Sequence, residues 1–334
     1  MKTLAVVVLN YNGKEHLNTF LPSVVQHAKP YDVYVIDNAS LDDSIDQLKC
    51  HFPSVNILSL PSNYGFAKGY NEGLKPLENL YEHYLILNSD VEVTPGFITP
   101  LLDRITHENV ASVQPKVLSW KNKCLFEHAG ASGGFLDRNG FPFCRGRIFQ
   151  ECEEDLGQYE DAIPVFWTTG ACMLVKSSLF HALGGFDEDF EAHMEEIDWC
   201  WRAQHLGYEV WIEPKAIVYH LGGGTLSNES PRKTFLNFRN NLFMLTKNSQ
   251  GFWLGRLWIR MVWDGIAAFQ FLITGKVRFF FSVFNAHMAF YAGFIRNVKK
   301  RSIPKNQTVK GHYSGNIVID FYLRKKRKFS SIDL

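Results

Sequence analysis

The stretch Leu-Ala-Val-Val-Val-Leu-Asn-Tyr-Asn-Gly, residues 4–13, decides the fold of this 334-residue chain. Its apolar part does not alternate with polar residues, which is typical of a strand buried on both faces. A helix-like stretch follows at 14–28, and similar apolar segments recur at 32–36, 55–58 and 84–87. Buried strands interleaved with helices predict an α/β fold, Rossmann-like, with a mainly parallel sheet flanked by helices.

The composition excludes several classes of protein. Hydrophobic residues make up 46% of the chain and charged residues 21%, which is enough for a sizeable core. The formal net charge of +1 gives no global electrostatic case for nucleic-acid binding. The six cysteines lack close paired spacing, so neither a zinc ribbon nor a disulfide framework is expected. The apolar run is too short for a signal-peptide core, so we expect a cytoplasmic protein with reduced thiols.

Polar residues follow each of the first four predicted strands. In parallel sheets, ligands collect at the carboxyl ends of the strands. That rule selects these candidate nucleotide-binding residues: Asn10 and Asn12 after the first strand, Asp37 after the second, residues 62–69 after the third, and Asn88 with Asp90 after the fourth. The Asp37 carboxylate can accept the imide N–H of uracil or thymine. The alternative is an N-cap cluster for the helix after Ser40, which Asp42 also serves.

We call the residues that follow the carboxyl end of each strand a tip. The third tip, residues 63–71, reads Asn-Tyr-Gly-Phe-Ala-Lys-Gly-Tyr-Asn. Free backbone N–H groups at a helix start, together with a lysine, suit a phosphate or a ribose. Asn63, Gly65 and Lys68 are therefore candidate donor-binding residues. The glycine spacing is neither a dinucleotide fingerprint nor a Walker loop, and an ordinary helix N-terminus is the alternative.

Asp90 and His220 are candidate metal ligands. A carboxylate at a strand end can reach a divalent cation bound to a diphosphate, and Mg²⁺ and Mn²⁺ prefer oxygen ligands that they share with phosphates. His220 ends a predicted strand at 216–219 and precedes three glycines at 222–224. The alternatives are an aspartate that caps a turn and a structural histidine.

A helix predicted from Glu195 carries the candidate catalytic base. Glu195, Asp198 and Arg202 share one helix face and are predicted to form a network, while Glu196 is turned away by roughly a quarter turn. A base must be held rigidly near the attacking hydroxyl, which such a network favours. The alternative is that the acidic residues only favour the positive end of the helix dipole.

The composition shifts beyond residue 224, and we place a domain boundary between residues 228 and 229. A membrane-spanning helix needs about 20 predominantly apolar residues; the stretch 252–273 contains Arg256, Arg260 and Asp264, and the stretch 279–295 is too short. Basic and aromatic helices of this kind favour the membrane surface, and the runs Lys299–Arg301 and Arg324–Lys328 would attract anionic headgroups. The alternative is an ordinary helical subdomain with a solvated basic tail.

Eight segments, taken in order, resemble the family 2 glycosyltransferases of the GT-A fold, most of all their rhamnosyltransferase-like bacterial branch. The resemblance covers residues 4–225. The segments are Val-Val-Leu-Asn-Tyr-Asn-Gly (7–13), Val-Ile-Asp-Asn-Ala-Ser (35–40), the third tip (63–71), Leu-Asn-Ser-Asp (87–90), Thr-Gly-Ala-Cys-Met-Leu-Val (169–175), Gly-Gly-Phe-Asp-Glu-Asp-Phe (184–190), Glu-Glu-Ile-Asp-Trp-Cys-Trp-Arg (195–202) and Tyr-His-Leu-Gly-Gly-Gly (219–224).

The resemblance implies an inverting transfer of a sugar from a UDP- or dTDP-linked donor. The acceptor would be a hydroxyl of a saccharide or lipid-linked saccharide, in surface polysaccharide synthesis at the inner face of the cell membrane. Rhamnose is favoured by the branch alone. A non-catalytic nucleotide-sugar-binding protein of the same fold is the alternative. A nucleotidyltransferase is disfavoured, because the first tip lacks a glycine- and basic-rich loop.

The resemblance also assigns roles to single residues. Asp37 matches the residue that contacts the base. Asp90 matches the last carboxylate of the metal motif, and Asn88 stands where many members have an aspartate. The base falls on Glu196, where the family has aspartate. The remaining matches are Asp198 and Arg202 downstream of the base, Thr169 and Gly170 in the turn beneath the donor sugar, and His220 as a second metal ligand.

Overall fold

The computed structural model describes residues 1–222, 230–301 and 308–334. The strands are β1 (Lys2–Asn10), β2 (Asp32–Asp37), β3 (Asn56–Ser59), β4 (Tyr81–Asn88), β5 (Val91–Val93), β6 (Val110–Ser119), β7 (Gly134–Asp137), β8 (Pro142–Cys144), β9 (Arg147–Ile148), β10 (Glu151–Cys152), β11 (Ile163–Val165), β12 (Cys172–Lys176), β13 (Glu209–His220) and β14 (His312–Tyr313). The α-helices are α1 (Lys14–His27), α2 (Ser44–His51), α3 (Gly65–Leu74), α4 (Ile98–Ile105), α5 (Ser177–Ala182), α6 (Glu195–His205), α7 (Pro231–Asn248), α8 (Trp253–Ile273), α9 (Val277–Lys299) and α10 (Ile317–Tyr322).

The main sheet has the order β11-β13-β6-β12-β4-β1-β2-β3, with β5 paired to β13. Strands β1 to β4 are parallel, as predicted, so the ends of β1, β2 and β4 lie at one edge. Strand β12 lies between β4 and β6 and runs antiparallel to both. The α/β prediction is therefore confirmed, and the sheet is mixed beyond β4.

The unbroken apolar run in β1 serves two cores. Ala5 and Val7 belong to one buried cluster, whereas Leu4, Val6 and Val8 belong to the other. Successive side chains of a strand point to opposite faces, so a strand covered on both sides needs apolar residues at every position. This packing fixes β1 centrally and leaves Asn10 at its carboxyl end.

A second, five-stranded sheet has the order β10-β9-β8-β7-β14. Within it, β7 and β8 pair antiparallel as a hairpin. Strand β14 comes from the C-terminal segment and pairs parallel with β7. Contacts therefore cross the boundary predicted between residues 228 and 229, and residue 228 itself lies outside the described residues.

Helices α8 and α9 are in contact with each other and are joined by a short turn at 274–276. In the described ranges, no helix is both long enough and apolar enough to cross a membrane. Arg260 is one of the charged residues that make α8 too polar to cross a membrane. Its buried guanidinium donates to Asp264 Oδ1 at 2.7 Å and lies 3.9 Å from the ring centre of Phe141. The charged residues inside the predicted apolar stretch thus pack inward.

Candidate functional site

The first two strand tips meet around Ser40. Asn10 is fully buried, and its Nδ2 donates to Ser40 Oγ at 3.1 Å. Asp37 ends β2, and its Oδ1 accepts the Ser40 backbone N–H at 3.2 Å. Asn12 Oδ1 accepts the Leu41 N–H at 2.7 Å. Asp37 therefore makes a backbone contact of the kind that the structural alternative, the capping cluster near Ser40, predicts. This contact uses one oxygen of its carboxylate.

The third tip is tied to the second by Asn38. Its Nδ2 donates to Asn63 Oδ1 at 3.0 Å and to the Gly65 carbonyl at 2.9 Å. The expectation of free N–H groups at this helix start is wrong for residues 66 and 67, because both donate to the Glu191 carbonyl, at 3.1 and 3.2 Å. This contact joins the third tip to the segment just before α6.

Lys68 is also engaged in this conformation. Its Nζ lies 3.5 Å from Glu188 Oε2 and 4.9 Å from the ring centre of Tyr64. Both side chains of the ion pair are substantially exposed, at 40% and 45%, so the pair is weak and a ligand can displace it. The role of Lys68 in donor binding stays a prediction.

Asp90 and His220 do lie together, as expected for ligands of one ion. Strand β13 pairs with β5 so that His220 is opposite Val91, and the Leu221 N–H donates to the Asp90 carbonyl at 3.0 Å. His220 Nε2 is 3.1 Å from Asp90 Oδ1, and both side chains are buried. His220 precedes the glycine run 222–224, of which residues 223 and 224 lie outside the described residues.

Glu127 completes this group, which we call the Asp90 cluster: Asp90, Glu127 and His220. Glu127 Oε2 is 3.2 Å from His220 Nδ1, and it also accepts the Ala129 N–H. Burial would lower the pKa of His220, but the two carboxylates raise it to about 10. Burial would raise the pKa of Asp90, but the His220 hydrogen bond and charge hold it below its ordinary value. The imidazole is therefore a cation between two carboxylates.

The carboxylate oxygens of the Asp90 cluster fit Mg²⁺ or Mn²⁺, which prefer oxygen ligands, whereas the imidazole nitrogen of His220 is a ligand more typical of other transition metals. The geometry of the cluster is not that of a complete cage: in the described part of the chain, no group of three His, Cys, Asp or Glu side chains is arranged to hold a metal ion. Such cations usually keep few protein ligands and share the rest with substrate phosphates. These residues would therefore suit a cation that is shared with a substrate diphosphate, and His220 would have to lose its proton to act as a ligand.

Asn88 ends β4 beside the turn predicted to lie beneath the donor sugar. Its backbone N–H donates to the Ala171 carbonyl at 2.9 Å. Thr169 is buried, with its N–H bonded to Gln114 Oε1 at 3.0 Å and its Oγ1 accepting the Ala171 N–H at 3.2 Å. A Cβ added at Gly170 would lie 3.3 Å from the Phe66 ring. The turn therefore packs tightly between β4 and the third tip.

Helix α6 begins from an unusual backbone. Glu191, His193 and Met194 all have positive φ, at 62°, 69° and 73°. Such left-handed residues are uncommon outside glycine and gather at functional sites. They place Glu195 and Glu196 at the first turn of α6, and each has a buried Oε2 without a partner among the described residues.

The environments of the two glutamates raise their pKa values. Burial raises the pKa of Glu195 well above its ordinary range, and the neighbouring Glu196 charge adds to this. Burial raises the pKa of Glu196 to about 7, against local backbone hydrogen bonds that lower it. Glu195 is 4% exposed, whereas Glu196 is only partly buried and so is the more accessible carboxylate. A carboxylate with a pKa near neutrality can accept a proton and release it again.

The predicted network on α6 is confirmed for one of its pairs. Arg202 Nε donates to Asp198 Oδ2 at 2.8 Å, and its other nitrogens bond the carbonyls of Leu183 and Gly185. Glu195 takes no part in this network: among the described residues it bonds neither Asp198 nor Arg202, and its Oε2 has no partner. Instead, Lys247 from α7 donates to Asp198.

Asp198 thus joins α6 to α7 deep in the protein. It is fully buried, its Oδ1 accepts from Asn248 Nδ2 at 2.8 Å, and its nearest contact with Lys247 Nζ is also 2.8 Å. Asp198 and Arg202 therefore position α6 in this structure. No hydrogen bond or ion pair between described residues joins Glu196 to Asp90 or His220.

The basic run near the end of α9 makes contacts within the protein. Lys300 Nζ bonds Asp187 Oδ1 at 2.6 Å and Asp189 Oδ2 at 2.7 Å. Arg301 bonds backbone carbonyls of Thr246 and Ser249. Lys300 and Arg301 therefore hold the C-terminal helices to the rest of the protein, and attraction of anionic headgroups by this run stays a prediction.

Sequence reasoning missed Glu127 and Lys247. Glu127 lies in an irregular segment after β6, away from any predicted strand end, so the strand-tip rule could not select it. Lys247 lies in the last turn of α7, where a lysine is ordinarily explained by the helix dipole. Both act through partners that are distant along the chain, 93 residues from Glu127 to His220 and 49 from Lys247 to Asp198.

Comparisons with known proteins agree with this architecture. The family model described as Glycosyl transferase family 2 matches residues 5–184. The N-acetylglucosaminyl-diphospho-decaprenol L-rhamnosyltransferase of Mycobacterium tuberculosis is 24% identical over 268 residues, which are 75% of this chain and 86% of that protein. The dTDP-rhamnosyl transferase RfbF of Shigella flexneri is 22% identical over 263 residues, 72% of this chain and 79% of that protein.

A solved structure is similar in fold. The crystal structure of GalNAc-T7 with UDP, GalNAc and Mn²⁺ superposes with a TM-score of 0.56 at 16% sequence identity. The superposition covers 73% of this chain and 48% of that chain, so about half of the solved chain has no counterpart here. At this identity the likeness shows the fold alone.

Proposed function

Because this chain belongs to glycosyl transferase family 2, we propose that it moves a sugar with inversion from a UDP- or dTDP-linked donor to an acceptor hydroxyl. That it is a glycosyltransferase follows from the family and its relatives. The names of the two relatives support rhamnose as the sugar and a lipid-linked saccharide as the acceptor. The product would enter a bacterial surface polysaccharide.

The observation that carries the proposal is the unpaired Glu196 carboxylate. It lies at the start of α6, partly accessible, with a pKa near 7. Glu196 takes the proton of the acceptor hydroxyl while that oxygen bonds to the anomeric carbon, and the bond from this carbon to the donor diphosphate breaks on the opposite face. The electron pair of the broken bond leaves with the nucleoside diphosphate, so one proton and one sugar are transferred.

Asp90 and His220 are the residues that would hold a divalent cation, Mg²⁺ or Mn²⁺, with Glu127 orienting the imidazole. When bound, such a cation neutralises the negative charge that develops on the leaving diphosphate. Asp37 would accept the imide N–H of the base with its remaining oxygen. The other predicted donor contacts are Asn10, Asn12, Asn63, Gly65, Lys68, Asn88, Thr169 and Gly170.

A panel of nucleotide sugars, each tested with and without Mn²⁺, examines this proposal. Ligands at many times their dissociation constant raise the melting temperature, so we expect dTDP-rhamnose or a UDP-sugar to do so more strongly with Mn²⁺. Asp90→Ala should abolish the Mn²⁺-dependent part of the shift. Radiolabelled sugar should then appear on a lipid-diphosphate acceptor. Donor binding with no transfer to any acceptor would instead favour the non-catalytic binding protein.

The C-terminal helices support a membrane-surface location, the inner face of the cell membrane, for this reaction. Along α8, exposed apolar side chains recur every third or fourth residue, and the same holds along α9. The α8 stripe is Leu254, Trp258, Val262, Ile266, Phe269 and Ile273, and the α9 stripe is Val277, Phe281, Phe284, Met288, Tyr291 and Ile295. Exposed apolar area of this extent is unusual for a surface that faces only water.

The charges beside the stripes favour a lipid surface as the occupant. Lys276 and Arg278 lie at the turn between α8 and α9 and are exposed, next to the ends of both stripes. Basic residues at the edge of an apolar helix face attract anionic headgroups. A lipid-linked acceptor would meet the protein at the same surface.

Vesicle co-sedimentation tests this location. The full chain should sediment with phosphatidylglycerol-containing vesicles and much less with phosphatidylcholine alone. A variant with Trp258, Phe269, Phe281 and Phe284 changed to Ser should stay in solution. The matched control changes four exposed leucines elsewhere, Leu41, Leu80, Leu156 and Leu206, and should sediment like the unchanged chain. Equal sedimentation of both variants, or a dimer that the four stripe changes dissociate without vesicles, would contradict the location.

A further inference from the structure

Strand β9 begins with a buried arginine that no role above uses. Arg147 is 7% exposed, and its Nε has no partner among the described residues. Its other nitrogens bond only neutral groups, Nη1 the Phe149 carbonyl at 3.5 Å and Nη2 Cys144 Sγ at 3.3 Å. Across the residues that the structure describes, no carboxylate forms an ion pair with it. A buried guanidinium without a counter-charge is costly, which is understandable if a ligand supplies the charge.

The backbone holds Arg147 beside the Asp90 cluster. Gly146 packs on the ring of Phe126, where an added Cβ would lie 2.6 Å from Cγ. The Phe126 N–H donates to the Glu153 carbonyl at 3.0 Å, and the Glu153 N–H donates to the Gly146 carbonyl at 2.8 Å. Arg147 and Glu127 each follow directly after these two packed residues. Arg147 and Glu127 are therefore neighbours in the fold, and Glu127 belongs to the Asp90 cluster.

A second cation lies near Arg147. Burial lowers the pKa of Lys233, in the first turn of α7, while Glu127 raises it and the Arg147 charge lowers it further. Lys233 also contributes, after burial, to lowering the pKa of His193 to about 4. His193 comes two residues before Glu195. Lys233 is thus near enough to Arg147, Glu127 and His193 for their charges to act on one another.

The geometry points to Arg147, with Lys233 beside it, as the binding site for a phosphate or diphosphate group of a substrate. A guanidinium presents a planar fork of N–H donors that matches phosphate oxygens, and in the described residues Glu127 pairs with His220 and not with Arg147. The inference rests on the proposed function, in which the donor and a lipid-linked acceptor both carry a diphosphate. Either source offers the same chemistry.

Inorganic pyrophosphate is the probe that tests the site. It is titrated by calorimetry, without divalent cation, into the full chain and into Arg147→Met, Arg147→Lys and Arg138→Met. Arg138 is an exposed arginine in the turn between β7 and β8 and is the matched control. We expect Arg147→Met to weaken pyrophosphate binding by about tenfold or more, Arg147→Lys to weaken it less, and Arg138→Met to leave it unchanged. Unchanged affinity in Arg147→Met would overturn the inference.

Thermal melting without ligand separates binding from a structural role. Since Arg147 has no counter-charge of its own, Arg147→Met should melt no lower than the unchanged chain. A clear fall in its melting temperature, with pyrophosphate affinity retained in Arg147→Lys and Arg147→Met alike, would show a structural arginine and reject the site.

Two further arms identify the source of the phosphate. If Arg147→Met loses the preference for UDP or dTDP over the corresponding nucleoside, the site binds the donor. If donor affinity is unchanged and the KM for a lipid-diphosphate acceptor rises, the site binds the acceptor. Pyrophosphate binding that depends on Arg147 in a chain that transfers no sugar would leave the site standing and reject the proposed function instead.

Discussion

Two groups of acidic residues on α6 lie less than one helical turn apart and differ in their partners. Asp198 is bonded to Arg202 and Lys247 and has no exposed surface. Glu195 and Glu196 each keep a buried oxygen without a partner in the described parts of the chain. Burial is therefore common to both groups, and the cations belong to only one of them.

The comparison shows that the nearby cation, more than burial, decides what a carboxylate does. Burial raises the pKa of Asp198, but the charges of Lys247 and Arg202 outweigh it, and the pKa ends below the ordinary value. Burial raises the pKa of Glu196 to about 7, and no cation opposes it. Asp198 stays ionised and holds two helices together, whereas Glu196 can exchange a proton near neutral pH.

The largest effect on activity is expected for Glu196, the carboxylate of α6 that has no cation partner among the described residues. Glu196→Gln removes the proton acceptor and should lower the rate of sugar transfer by roughly 10²- to 10⁴-fold, since this is the usual contribution of a general base. Donor binding should be unchanged, because the change does not touch the strand tips. Transfer is measured with radiolabelled donor, and binding by calorimetry.

Glu195→Gln is the matched control for that variant, because it makes the same change one residue earlier. It should retain most of the transfer activity, since Glu195 is the less accessible of the two. Near-normal turnover in Glu196→Gln together with an inactive Glu195→Gln would move the base to Glu195.

For Asp198, the carboxylate that is paired with cations, Lys247→Met should lower the stability of the protein. It leaves Asp198 and Asp187 buried with one cation fewer, and breaking a buried ion pair from one side costs about 3–5 kcal/mol in the free energy of unfolding. Urea denaturation measures this loss. A change below about 1 kcal/mol would contradict the view that Asp198 is structural.

The smallest effect is expected for Lys300→Gln. Lys300 bonds Asp187 and Asp189 but is 35% exposed, so its pairs are screened by water and worth about 1 kcal/mol or less. The same urea titration should place this variant between Lys247→Met and the unchanged chain. A loss as large as that of Lys247→Met would show that exposure does not separate the two lysines.

Much of the central sheet could be predicted because its signals are local. The apolar run at 4–9 packs on two cores, so its pattern identifies a strand buried on both faces. Polar residues directly after such strands mark the ligand edge, which selected Asp37 and Asp90. Asp90 and His220 lie together because Asp90 directly precedes β5, which pairs with the end of β13, and their role as metal ligands stays a prediction.

The remainder depended on contacts that a local pattern does not carry. Whether the N–H groups of residues 66 and 67 are free is decided by the Glu191 carbonyl, more than a hundred residues away along the chain. Lys300 lies in a basic run that is typical of surface cations, yet its Nζ donates hydrogen bonds to Asp187 and Asp189. Hydropathy likewise indicated apolar helices at 252–295 but not which of their faces would stay exposed.

The pH dependence of kcat/KM tests most directly whether a carboxylate with a raised pKa is the base. Only the ionised form of Glu196 accepts a proton, so lowering the pH through its pKa removes activity. We predict that kcat/KM, measured between about pH 5 and 8.5, is half its plateau near pH 7 and falls about tenfold per unit below it. An acid limb near the ordinary glutamate value of 4.5, or one that persists unchanged in Glu196→Gln, would contradict this account.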